Sequence, residues 1–168
     1  MGLPVFRGDL LDVLGRFCAV VAQRPAAKAV VRLTADCPLT DWTVIDELIA
    51  RHHAEDADYS SNTVPERTYP HGLDAEVVRP EALLRAGREA MNPYEREHVT
   101  PFLYRRPDEH RIAGLTRSPS LAHLRWTVDY PADFEFVRGV YERLYLSNPA
   151  FTTEDIVALR EDSSTGGS

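Results

Sequence analysis

An apolar run that stops on an acid constrains this chain more than any other feature. In Ala29-Val-Val-Arg-Leu-Thr-Ala-Asp-Cys-Pro-Leu-Thr-Asp41, the residues Ala29, Val30, Val31 and Leu33 read as a buried central strand. Pro38, Thr40 and Asp41 then turn the chain into a helix. Asp36 falls just past the carboxyl end of that strand. In open α/β sheets ligands lie outside this edge, and a carboxylate there can hold a hard cation against a phosphate. Taken by itself, Asp36 fits a turn cap equally well, and that is the commoner use of a lone Asp.

The pattern returns in Leu124-Arg-Trp-Thr-Val-Asp-Tyr-Pro-Ala-Asp-Phe134. Leu124–Val128 is expected to be a strand ending on Asp129, followed by a proline-led helix with Phe134, Val137, Val140, Tyr141 and Leu144 inward. Two acids in the same context weigh more than one. If their strands are parallel neighbours, Asp36 and Asp129 converge on one rim and can share a single Mg²⁺.

The remaining segments supply the frame. Gly2–Gly8 reads as a minimal strand and turn, and a helix from about Asp9 to Ala22 places Leu10, Leu14, Phe17, Cys18 and Val21 on one face. A second amphipathic helix follows Asp41, with Trp42, Ile45, Leu48 and Ile49 inward and a solvated end at His52-His53. Asp58–Asn62 is a short strand, and the loop 63–72, with Arg67 and His71, is a candidate substrate wall or a plain connector. Leu73–Val78 alternates as a strand with Asp74 and Glu76 on one side, either as a ligand-binding pair or as the wet face of an edge strand. Pro80 opens a helix and Pro93 another, which Pro101 bends or breaks. Arg96, Glu97 and His98 are consecutive, so only one or two of them can face a site. Arg105–Arg111 is a surface turn, Ile112–Leu115 a further strand, and Thr152 with Asp155 a capping pattern for a last helix to about Arg160. Residues 162–168 are expected to be disordered.

Charge narrows the partners. With 26 acidic and 19 basic residues the net charge is −7, against a nucleic-acid surface, so a phosphate ligand needs a metal or local arginines. Lys28 is the sole lysine, which leaves no lysine in P-loop context. Two cysteines, Cys18 and Cys37, lack disulfide-framework or metal-ligand spacing and fit a reducing cytoplasmic compartment. There is no secretory or membrane-spanning run, and at 168 residues the chain is expected to form a single domain over 1–161.

Taken together, the phrases Arg32-Leu-Thr-Ala-Asp-Cys-Pro-Leu, Ser61-Asn-Thr, Thr68-Tyr-Pro-His-Gly-Leu-Asp-Ala-Glu-Val, Pro93-Tyr-Glu-Arg-Glu-His-Val-Thr-Pro and Arg125-Trp-Thr-Val-Asp-Tyr-Pro-Ala-Asp-Phe resemble the SpsF-like cytidylyltransferases. These are the spore-coat polysaccharide relatives of CMP-sugar synthetases. The resemblance implies a three-layer, Rossmann-like α/β nucleotidyltransferase fold of the GT-A type. It implies CTP or CMP as ligand, a sugar acid or sugar phosphate as acceptor, and Mg²⁺ on Asp36 and Asp129. Within the matching phrases, Arg32, Asn62, Arg67, His71, Asp74, Glu76, Arg96 and His98 are the substrate-binding candidates.

The family pattern opens with a strand and a basic, glycine-containing triphosphate loop, which none of these phrases contains. The chain is therefore read as an N-terminally truncated form that starts at the family's third strand. The strand carrying Asp36 would then expose an unpaired apolar edge, inviting self-association or a partner chain. Three readings follow: a cytidylyltransferase active once the loop is supplied by a partner chain or a longer reading frame, a non-catalytic nucleotide-, sugar- or partner-binding member of a polysaccharide or secondary-metabolite pathway, and a structural fragment. Phosphoryl transfer is mostly positioning and charge neutralisation, so lack of the triphosphate loop is expected to cost several orders of magnitude in rate.

Overall fold

A computed structural model describes the backbone of residues 2–165 and the side chains through Leu159. Among the described residues four short strands form one sheet: β1 (Val30–Arg32), β2 (Tyr59–Ser61), β3 (Glu76–Val78) and β4 (Ile112–Gly114), in the order β1-β3-β2-β4. β3 runs antiparallel to both of its neighbours, whereas β2 and β4 are parallel. The carboxyl ends of β1, β2 and β4 therefore lie at the same edge of the sheet.

Among the described residues seven helices surround it: α1 (Val13–Ala22), α2 (Trp42–Ala54), α3 (Pro80–Glu89), α4 (Pro93–His98), α5 (Pro101–Tyr104), α6 (Pro131–Leu144) and α7 (Thr153–Thr165). Consecutive strand residues point to opposite faces, and β3 shows the consequence. Val77 packs with Val44 and Leu48 of α2, Val137 and Val140 of α6 and Ile156 of α7. Val78 packs with Leu14 and Val21 of α1, Leu83 and Ala86 of α3 and Phe102 and Leu103 of α5. Helices thus cover both faces, giving the expected three layers with two apolar cores.

Several sequence expectations are corrected. Residues 2–12 carry no strand, and Leu10 is 80% exposed rather than inward. Leu124–Val128 is no ladder strand. Arg125 makes one isolated parallel bridge to His71, and Val128 bonds past the sheet to Asp36, so the segment caps the sheet edge instead of joining it. β3, read as a possible edge strand, lies between β1 and β2, while β1, read as central, is bonded on one side only among the described residues. Trp42 is 52% exposed because its indole N–H reaches the Ala150 carbonyl at 3.1 Å. Phe134, also expected inward, is exposed as well. His52 is buried, not solvated, with its Nδ1 2.8 Å from Ser60 Oγ, while His53 is exposed. The Thr152–Asp155 capping pair forms, with the Thr152 amide donating to Asp155 Oδ2 at 2.8 Å. Helix α7 continues past Arg160 to Thr165, and the rest of the expected tail, Gly166–Ser168, lies outside the described residues.

Asp41 joins two distant helices. Its Oδ1 accepts from the Thr43 amide and hydroxyl at 2.8 and 2.6 Å, capping α2, and its Oδ2 accepts from the Thr153 amide and hydroxyl at 2.7 Å each, at the start of α7. Burial alone would raise this carboxyl, but the bonds from Thr43 and Thr153 outweigh it and hold the pKa below the usual 3.8. Asp41→Ala is expected to lower the unfolding free energy by about 2 kcal/mol or more. Because the folded pKa is depressed, that contribution is complete above the unfolded value and fades as pH falls through the folded one. Urea unfolding at pH 7 that shifts by less than a quarter of this would refute the double cap.

His52 has the opposite chemistry. Burial, helped by the neighbouring His53 and Arg79, pushes its pKa down from 6.5 to about 4. Between those values the unfolded chain takes up a proton that the native chain refuses. Native stability is expected to fall as pH drops through this window, by up to about 1.4 kcal/mol per unit, and to be fully present above it. Denaturation of wild type and His52→Gln between pH 6.5 and 5 checks this: the variant should lose that component of the slope.

Candidate functional site

The sheet edge defined by the carboxyl ends of β1, β2 and β4 gathers most of the chemistry. Arg32, Glu76 and Ser61 stand in register across β1, β3 and β2 at this edge, with Gly114 beside Ser61. Asp36 follows β1 in a turn, exposed, and its carbonyl accepts from the Val128 amide at 2.8 Å. That bond sets the backbones of Asp36 and Asp129 next to each other at the rim. The 71–72 segment fixes the other side of the same loop. His71 exchanges backbone bonds with Leu124 and Trp126 at 2.9 and 2.6 Å. Gly72 sits at φ +100°, where an added Cβ would lie 2.6 Å from the Thr127 nitrogen, so only glycine allows this approach.

Asp129 is exposed and its carboxylate is ion-paired with Arg125, whose Nη1 also reaches Asp133 Oδ1 at 2.9 Å. Asp133 in turn accepts from the amides of Asp129 and Tyr130, both at 2.9 Å, and these bonds are the first cause of its lowered pKa. The loop is thereby clamped to the amino end of α6. Two carboxylates at one rim are the donor set that Mg²⁺ takes from protein when substrate phosphates supply the remaining oxygens. Here Asp36 and Asp129 stand on adjacent backbone at the rim, and the Asp129 carboxylate is held by Arg125. Among the described residues no cluster of three or more His, Cys, Asp or Glu side chains offers a metal cage made of protein donors alone.

A polar cleft of about 250 Å³ opens at the same edge, over Arg32 and Glu76, with Thr63, Tyr94, His98 and Tyr104 among its walls. Its floor is a buried network. Glu76 Oε1 accepts from Tyr59 Oη at 2.8 Å and Thr100 Oγ1 at 2.6 Å, and Glu76 Oε2 is ion-paired with Arg32. Burial, and then the Glu76 charge, holds the Tyr59 phenol well above its usual pKa, so it stays a donor. Burial likewise raises Tyr104, next to Tyr94. Between α4 and α5 the chain makes a γ-turn: Val99 has φ 75° and ψ −58°, and the Thr100 amide donates to the His98 carbonyl at 2.9 Å. This geometry is rare and strained, above all for a β-branched residue. Val99 holds it because its side chain is buried, 1% exposed, in the α1/α3/α5 core. The turn carries His98 to the cleft wall and Thr100 to Glu76.

Of the substrate-binding candidates, the structure brings Arg32, Glu76 and His98 together. The others have different surroundings. Asn62 is wholly buried, its amide donating to the Leu73 carbonyl at 2.6 Å and its oxygen accepting from the Ala75 amide at 2.9 Å, so it shapes the approach to β3. Arg67 grips Asp74 with two bonds of 2.6 and 2.8 Å, bracing the loop between β2 and β3 and raising the Arg67 pKa. Asp74 and Glu76 therefore do not act as a pair. His71 is exposed near the 124–126 segment. Arg96 is committed to Asp12, at 2.9 and 2.8 Å, and to the Gly87 and Ala90 carbonyls, joining α4 to α1 and the end of α3. Reading Arg96 as a substrate contact overlooked a partner 84 residues away in sequence. Tyr59, Tyr94 and Thr100 escaped the sequence reading. For Tyr59 and Thr100 the signal that could have found them is Glu76 itself, an acid in the run Ala75-Glu-Val-Val, which must find buried donors, whereas nothing in the sequence singles out Tyr94.

Gly72→Ala is expected to cost about 2 kcal/mol or more and to loosen residues 126–129 selectively. Amide hydrogen exchange checks it: faster exchange at Trp126 and Val128 with the helices unchanged is the expected result, and unaltered protection there would refute the close approach.

The profile of the family described as cytidylyltransferase matches residues 1–152. The chain is 32% identical over 150 residues to an uncharacterized protein of Methanocaldococcus jannaschii, covering 88% of this chain and 60% of that one. It is 31% identical over 153 residues to the spore coat polysaccharide biosynthesis protein SpsF of Bacillus subtilis, covering 84% of this chain and 58% of SpsF. The chain thus spans about 60% of the length of these curated relatives. A solved cytidylyltransferase from Leptospira borgpetersenii serovar Hardjo-bovis superposes with a TM-score of 0.87 at 23% identity, over 98% of this chain and 68% of the other, which identifies the fold as the Rossmann-like nucleotidyltransferase type. With the profile matching nearly the whole chain, this protein belongs to the cytidylyltransferase family, alongside SpsF.

Proposed function

We propose that this chain uses CTP to transfer CMP to a sugar acid or sugar phosphate, with the nucleotide phosphates at the Asp36/Asp129 rim and the acceptor toward the Arg32/Glu76 cleft. The observation that supports the reading is the Val128 N–H···O=C Asp36 bond, which joins the backbone next to Asp129 to that of Asp36, four residues beyond Arg32. Asp36 and Asp129 are the residues that would hold Mg²⁺, which when bound would offset the charge of the triphosphate oxygens. In the reaction an acceptor oxygen forms a bond to the α-phosphorus while the bond to the leaving pyrophosphate breaks. This chain's contribution is positioning: the Gly72 contact and the Asp133 clamp fix the rim, and the Glu76 network fixes the cleft floor. β1 is bonded on one side among the described residues, and Val31 on it and Leu33 just after it are 37% and 44% exposed, which supports pairing with a second copy or a partner chain.

The test is thermal stabilisation by CTP with Mg²⁺, followed by pyrophosphate release with a panel of sugar acids and sugar phosphates. Stabilisation that Asp36→Asn and Asp129→Asn each reduce by about tenfold or more in affinity is expected. Stabilisation without release under any acceptor would favour the binding-only member of a polysaccharide pathway. Absence of any CTP response, or undiminished affinity in both variants, overturns the proposal.

A further inference from the structure

The turn that carries Asp36 is shaped by its own residues but placed by others. Within it the Cys37 amide donates to the Thr34 carbonyl at 3.2 Å, and the Thr40 amide and hydroxyl donate to the Cys37 carbonyl at 3.3 and 2.5 Å. Bonds of this kind close a turn without fixing where it lies against Asp129. The carbonyls on either side of Cys37 are both taken by the other arm of the rim. Asp36 accepts from the Val128 amide at 2.8 Å, and Pro38 accepts from the Tyr141 hydroxyl at 2.8 Å. Tyr141 stands on α6, the helix that opens at Pro131, just after Asp129. A single bond would let the turn pivot about it, whereas a second bond at Pro38 also fixes its orientation.

The Tyr141 ring has support of its own. It packs edge-on against Phe151, with centroids 5.3 Å apart, and tilted against Tyr145 at 5.7 Å. Phenylalanine would keep these contacts and lose only the bond to Pro38. Tyr141 is 36% exposed. Water can therefore replace its hydroxyl at the Pro38 carbonyl, which satisfies the acceptor without tying it to α6. Loss of the hydroxyl thus costs the fold little and the placement of the turn much.

We infer that Tyr141 is a positioning residue for the Asp36/Asp129 rim: its hydroxyl holds the Asp36 turn in orientation against the Asp129 arm, acting through the backbone of the turn rather than by contact with substrate. The inference rests on the reading of that rim as the site of the nucleotide phosphates and adds a residue, 105 positions from Asp36 in sequence, that sets one of its two acids.

Tyr141→Phe tests it with and without ligand. In the ligand-free chain, amide hydrogen exchange is expected to quicken about fivefold at Cys37 and Val128, whose bonds close and anchor the turn, while the unfolding midpoint stays within about 3 °C of wild type. Unchanged exchange at both amides overturns the inference. So does a larger fall in the midpoint with faster exchange throughout α6, which would make Tyr141 a packing residue only. With CTP and Mg²⁺, thermal stabilisation across a double-mutant cycle reads the coupling to Asp36. Tyr141→Phe should weaken CTP binding about fivefold when Asp36 is present and leave it unchanged in the Asp36→Asn background. Equal losses in both backgrounds overturn the inference, because the hydroxyl would then act elsewhere. The ligand-free measurement keeps the two readings apart. Faster exchange at Cys37 and Val128 with no CTP response in the wild type overturns nucleotide transfer alone. A wild-type CTP response with unaltered exchange in Tyr141→Phe overturns this inference alone.

Discussion

The buried Glu76, on the interior strand β3 where it reaches the sheet edge, is the constraint on which the site depends. A carboxyl group buried among apolar strands is unfavourable by several kcal/mol unless donors on neighbouring elements answer it. Here the answer comes from three directions: Arg32 on β1, Tyr59 on β2 and Thr100 between α4 and α5. Satisfying one acid thereby fixes the register of the two antiparallel pairings and the seating of the α4–α5 corner. The same network forms the cleft floor, so local stability and the shape of the cleft have one origin.

The corner itself shows how strain is tolerated for position. A valine at φ 75° is unfavourable by about 1–3 kcal/mol in isolation, yet its buried side chain and the Thr100–His98 backbone bond hold it there. Prolines at the start of α4 and α5 end one helix and open the next around this turn. Without the turn, α4 would run on and Thr100 would not meet Glu76 of β3. On the other side of the edge the device differs: a glycine rather than strain lets the 71–72 and 126–128 segments lie backbone against backbone.

Arginine explains much of the rest. Eighteen of the nineteen basic residues are arginine, and several act as forked ties between elements remote in sequence, as Arg96 does with Asp12 and Arg67 with Asp74. A planar guanidinium suits that work because it engages a carboxylate with two parallel bonds. The consequence is that a count of cations misjudges the site. Arg32, Arg67, Arg96 and Arg125 are all paired with acids, so the cleft and the rim are less basic than the sequence suggests.

The sequence by itself determined the alternation of helices with short strands, the proline-led helix starts, the acid placed just beyond β1 and the family. Each of these rests on local patterning, on period, on proline geometry and on the residue that ends an apolar run, which reads the same in any context. Only the tertiary structure decided which strand is interior, that Leu124–Val128 caps the sheet edge rather than joining it, and that Arg96, Asn62 and Asp74 serve the scaffold while Tyr59 and Thr100 serve Glu76. Those outcomes depend on partners tens of residues away, and a side chain's role is set by the nearest group that can satisfy its charge or hydrogen bond, which spacing along the chain does not encode.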